Sequence, residues 1–104
     1  MALFSRQLQP IAATLTAIYT STGSCVLSSI VICNADTVSD TTFSLAIVKS
    51  GETIANKCYL YYGQTLAASD TWTLTGGVVL ESGDVIYGKS ASGQVSFNIF
   101  GDVV

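Results

Sequence analysis

The chain contains no histidine among its 104 residues. That excludes serine–histidine–aspartate and cysteine–histidine catalysis, and it removes the commonest metal ligand. Charge is scarce as well. Charged residues make up 11% of the chain, against about 25% in an average soluble domain. The four bases, Arg6, Lys49, Lys57 and Lys89, are scattered, so there is no basic patch to neutralise a nucleic-acid backbone. No apolar run approaches the ~20 residues of a membrane-spanning helix. No charged n-region followed by an apolar h-region opens the chain, so a secretory leader is not expected. The three cysteines, Cys25, Cys33 and Cys58, form no C-x-x-C pair. Their odd number suits free thiols in a reducing compartment, acting as small buried hydrophobes.

What the chain does have is 49% hydrophobic content arranged with a period of two. At this length roughly 65% of the unfolded surface can be buried, so one compact domain is feasible. An apolar chain with so few charges has two ordinary readings, a Ser/Thr-rich β surface or a very apolar core. A third is an outer surface covered by partner subunits, and that reading is preferred here.

Residues 1–10 read as an N-terminal arm, with the domain proper over 11–104. Pro10 blocks a ladder hydrogen bond just ahead of the first strand, and Leu3, Phe4 and Leu8 are too apolar for a free tail and are expected to dock on their own domain or on a neighbour. Strands are then expected over Ile11–Thr20, Cys25–Asn34 and Thr41–Lys49. The near-continuous Ser29-Ile30-Val31-Ile32-Cys33 suggests a central strand covered on both sides. Thr53 to Lys57 is ambiguous. Cys58 to Tyr62 is a strand ended by Gly63-Gln64, and Asp70 to Thr75 is a strand broken by Gly76-Gly77, a bulge or sharp bend. Gly83 to Gly101 reads as one β-hairpin closed by Ser92-Gly93, with Val95, Phe97 and Ile99 facing the core and Phe100 facing out. Roughly seven or eight short strands with Gly, Ser, Asp and Asn turns, and no 3.6-residue period, predict an all-β fold. The expected form is an antiparallel β-sandwich, jelly-roll-like because the immunoglobulin Cys–Trp–Cys spacing is missing.

Catalytic and metal chemistry find little support. The seven acids fall almost entirely in turns. Convergence of Asp36 with Asp84, as a glycosidase pair would need, has nothing pointing to it. Asn34, Asp36 and Asp40 only faintly echo a calcium loop. The chain is therefore expected to be no enzyme, with no catalytic, cofactor-binding or metal-binding residues. Tyr59, Tyr61, Tyr62 and Trp72 are the more informative set, because Tyr and Trp combine apolar area with a polar tip and are favoured at interfaces. Adjacent Tyr61 and Tyr62 must point to opposite faces of their strand.

Several stretches together carry a resemblance: Leu15-Thr16-Ala17-Ile18-Tyr19-Thr20, Ser28 to Asn34, Thr42-Phe43-Ser44-Leu45-Ala46, Asn56 to Tyr62, Asp70 to Leu74, Leu80 with Gly83 to Ile86, and Val95 to Gly101. In these the chain resembles a family of small bacteriophage virion structural proteins. The resemblance implies a non-enzymatic component, made in the host cytoplasm and built into the virion, that cements or decorates the head shell. The alternatives are a tail, neck or baseplate subunit, or a carbohydrate- or receptor-binding sandwich. It implies a symmetric homo-oligomer, with a trimer favoured, and other virion proteins such as the major capsid protein as partners. Neither nucleic acid nor membrane is an expected partner. The candidate interface residues are Leu3, Phe4, Leu8, Tyr61, Tyr62 and Phe100.

Overall fold

In a computed structural model, which describes residues Ala2–Val103, the chain folds into eight strands. Met1 and Val104, the outer ends of the predicted arm and domain, lie outside the described residues. The strands are β1 (Ala2–Leu8), β2 (Thr16–Thr20), β3 (Cys25–Asn34), β4 (Thr41–Val48), β5 (Tyr59–Leu66), β6 (Thr71–Leu80), β7 (Val85–Ser90) and β8 (Val95–Val103). They form two antiparallel four-stranded sheets, ordered β1-β8-β3-β6 and β2-β7-β4-β5. Only the β4–β5 connection stays within a sheet; each of the others crosses between layers. That alternation is the jelly-roll winding of a β-sandwich.

The period of two explains which side chains meet between the layers. Ile30 and Ile32 of β3, Phe97 and Ile99 of β8, Phe43 and Leu45 of β4, and Ile86 of β7 are fully buried in one cluster. Removing each such side chain from water contributes about 1.5–3 kcal/mol, which is what holds two twisted sheets face to face. The β3 boundaries match the sequence reading, and β4 differs by one residue. β3 is central, lying between β8 and β6, but it is not covered on both sides. Its outward Val31 and Cys33 are only half-buried, and Val26 is exposed.

Other expectations give way to the topology. Residues 1–10 are no separate arm, but they do dock on their own domain, one of the two expected outcomes. Ala2–Leu8 is the edge strand β1, in register with β8 from Ala2↔Val103 to Leu8↔Phe97. Phe4 and Leu8 pack against the core, and the Arg6 guanidinium lies 5.3 Å from the centre of the Tyr19 ring. Alternate apolar residues thus anchor a segment whose polar residues suggested a tail. The first predicted strand begins at Thr16 and not at Ile11, because Ile11–Leu15 turns, with Ala13 at φ 58° and its N–H donated to the Ser90 carbonyl. Neither Gly63 nor the Gly76-Gly77 pair ends a strand. Gly63 and Gly77 sit at φ 63° and 65°, a left-handed conformation open to glycine at little cost. At each site two residues face one on the neighbouring strand, so β5 and β6 bulge and continue.

The largest correction concerns the closing hairpin. β7 and β8 lie in different sheets, β7 beside β2 and β4, β8 beside β1 and β3. The link between them crosses the sandwich. It is tied down by Ala91 N–H to the Thr42 carbonyl and by the Gln94 carbonyl accepting from Ala35 N–H. A period-two pattern places a side chain inward or outward, but it does not say which of the two layers the strand joins.

Candidate functional site

The polar groups buried inside the sandwich are structural. Asp84 is buried in the β6–β7 turn, where its carboxylate accepts from Lys49 Nζ (2.8 Å), Ser50 N–H (3.0 Å) and Glu81 N–H (2.9 Å). Burial pushes its pKa up. The hydrogen bond from Lys49, those from Glu81 and Ser50, and the lysine's charge outweigh that and hold it below the usual aspartate value. At the other end of β3, buried Asn34 orders the β3–β4 loop. Its Nδ2 donates to the carbonyls of Ser39 (3.1 Å) and Ala67 (3.2 Å), and its Oδ1 accepts from Asp36 N–H (3.1 Å). Asp36 accepts from Val38 and Ser39 N–H, which lowers its pKa, and Asp40 accepts from Ala68 N–H. These groups spend their lone pairs on the backbone. Among the described residues no three His, Cys, Asp or Glu side chains converge to hold a metal ion. Asp36 and Asp84 sit at opposite ends of β3, since Cys33 pairs with Thr71 and Cys25 with Leu80. They do not form a carboxylate pair.

The aromatic set divides. Tyr61 and Trp72 are half-buried and pack on the core, their rings 5.6 Å apart and within 5.8 and 6.2 Å of Phe43. Tyr62 points the other way and is 75% exposed, with Tyr59 edge-on to it at 4.7 Å. Tyr62 borders a slot of about 280 Å³ on the outer face of the β2-β7-β4-β5 sheet, with the hydroxyl residues Thr42 and Ser44 and the amine of Lys89. Much of the rest of that face is closed by the chain itself. The connection after β4 folds back so that Cys58, in a 3-10 turn, packs with Ala46, Val48, Tyr59 and Tyr87.

The opposite sheet is more open, and the same segment reaches only its β6 edge, where Val79 borders a groove with Lys49, Glu52, Lys57, Cys58 and Leu60. Residues paired across a sheet share a face, so the register lays out rows on its outer side. One row runs Leu3, Asp102, Val26, Val79, and the next begins Ser5, Phe100. Leu3 is 86% exposed, Val79 59% and Phe100 41%. β3 and β6 contain no charged residue, β1 contains only Arg6, which turns toward Phe4 and Tyr19, and β8 contains only Asp102. Among the described residues, Asp102 is therefore the single charged side chain that these strands present on this face. Its Oδ1 is buried between Leu3 and Val26 with no hydrogen-bond partner.

Of the predicted interface residues, Leu3 and Phe100 come together on this face, and Tyr62 stands on the far side of the sandwich. Phe4, Leu8 and Tyr61 are half-buried against the core and belong to the fold. Val26, Val79 and Asp102 went unnoticed. The signal was available in period two, because Val26 must oppose Leu27 and Val79 must oppose Leu80. No family model, curated protein or solved structure matches the chain.

Proposed function

We propose that this chain is a non-enzymatic structural subunit of a bacteriophage virion. In this reading it is made in the host cytoplasm, self-associates as a symmetric homo-oligomer, and cements or decorates the head shell against the major capsid protein. One observation carries the assembly part: a sheet face with exposed Leu3, Val79 and Phe100 on which, among the described residues, the strands present a single charged side chain. A face of that kind is poorly solvated alone and suits burial against protein. The jelly-roll winding is compatible with this role, since viral shells use it, but lectins and cupins use it too. The virion assignment therefore leans on the sequence resemblance. The structural use of Asp36, Asp40 and Asp84 favours a protein without chemistry of its own.

Co-sedimentation separates the head from its alternatives. The purified protein pellets with empty heads in the absence of any sugar. Pelleting with tails, necks or baseplates instead places it there, and pelleting with neither overturns the virion role. The slot beside Tyr62 favours a second reading, glycan binding, through an exposed ring next to hydroxyl groups. In that case Tyr62→Ala abolishes glycan retention while leaving the fold intact.

A further inference from the structure

We infer that the outer face of the β1-β8-β3-β6 sheet is covered by the same face of a second copy of this chain, giving a two-fold pair of sandwiches stacked sheet on sheet. The inference rests on the assembly reading only for the expectation that the chain self-associates. It does not depend on where in a virion the protein sits.

Three features identify a second copy as the occupant. The first is charge. Among the described residues Asp102 is the only charged side chain that the four strands present on this face, so it offers a strongly charged partner little to pair with away from its β6 edge, whereas two such faces meet with little like-charge repulsion. Their Ser, Thr, Asn and Gln groups can serve as donors to one another and to the Asp102 oxygen, which lacks a partner within its own chain.

The second feature is area. Four strands about 4.8 Å apart, about seven residues long at ~3.4 Å each, make a face of roughly 19 by 24 Å. Pairing two such faces covers roughly 900 Å² in total, below the ~1,200 Å² of standard specific interfaces and within the range of weak, transient ones. The pair should accordingly form reversibly, at concentrations set by a few apolar anchors. Leu3, Val79 and Phe100 are the natural anchors, being the most exposed of the large apolar groups in the adjacent rows, ahead of Val26.

The third feature is the contrast between the two layers. The other sheet's outer face is already partly covered by the chain's own Cys58 segment, so only one face is left for flat stacking. An isologous contact uses one surface twice. A trimer needs two different complementary surfaces. This inference therefore departs from the trimer that the resemblance favours.

The test is the mass in solution by light scattering across a dilution series, with far-UV circular dichroism to verify folding. Wild type gives twice the 10.9 kDa monomer mass at high concentration and approaches the monomer on dilution. Phe100→Lys and Val79→Lys each change an outward side chain, so both remain folded, and each weakens the dimer about 100-fold. Tyr62→Lys, on the far face, leaves the dimer unchanged. A monomer at all concentrations, a stable species of three times the monomer mass, or dissociation caused by Tyr62→Lys and not by Phe100→Lys overturns the inference. Dimerisation by a protein that binds no virion part would sink the virion reading alone.

Discussion

Replacing Asp84 tests how the sandwich is held at the end where β6 passes into β7. Asp84→Ala removes an acceptor for two backbone N–H groups, Ser50 at 3.0 Å and Glu81 at 2.9 Å, and the partner of Lys49. Hydrogen bonds to a charged group contribute about 1.5–3 kcal/mol each. Ser50 and Glu81 are exposed residues, so water can take over part of that, and the lower figure applies to each. The Lys49 side chain is half-exposed, so solvent screening leaves the ion pair a minor contribution. The expected loss is about 3 kcal/mol, a large share of the 5–15 kcal/mol that typically separates folded from unfolded. Urea denaturation at neutral pH measures it. Asp84→Asn keeps one acceptor oxygen and should lose about half as much. Acid adds an independent signature. The folded-state pKa is lowered, so the stability contributed by ionised Asp84 is full above the unfolded carboxylate value, about 3.9. It disappears as pH falls through the lower folded value. Wild type should lose stability on acidification below about pH 4, and Asp84→Asn should show a shallower loss. Losses under about 0.5 kcal/mol for both variants, with an unchanged acid slope, would refute the staple.

Asn34→Ala leaves carbonyls at Ser39 and Ala67 and the Asp36 N–H without their partners, and should cost about 2–3 kcal/mol in the same denaturation assay. Neighbouring tyrosines should behave oppositely: Tyr61→Ala, on the core side, costs about 2–4 kcal/mol, while Tyr62→Ala costs under about 0.5 kcal/mol. Deleting residues 1–8 removes Phe4 and Leu8 from the core and bares the edge of β8. Thermal unfolding should therefore shift down by more than about 10 °C, with aggregation through the new edge. Unchanged melting would mean β1 is a dispensable arm.

Inward and outward placement was legible in the chain, and layer membership was not. Phe97 and Ile99 face in and Phe100 faces out, as alternation requires. Yet the run holding them pairs with β1 and β3, and not with β7, because an inner face looks the same from either sheet. The bulge at Gly76-Gly77 was legible and the one at Gly63 was not, since glycine signals a backbone change without saying whether pairing resumes. β1 was misread because Arg6 and Gln7 look like tail residues, while the stacking of Arg6 over Phe4 and Tyr19 depends on a strand more than ten residues away. The candidate interface was half legible. Leu3 and Phe100 announced themselves by exposure in unlikely places, but Val26 and Val79 were hidden in apolar runs that resemble core.

The central claim is that this sandwich is built into a virion. Imaging purified phage particles with a label on a C-terminal tag tests it most directly. The account predicts label at regular positions over the head shell. Label on the tail would move the protein to another structural role, and particles carrying no label would contradict the account.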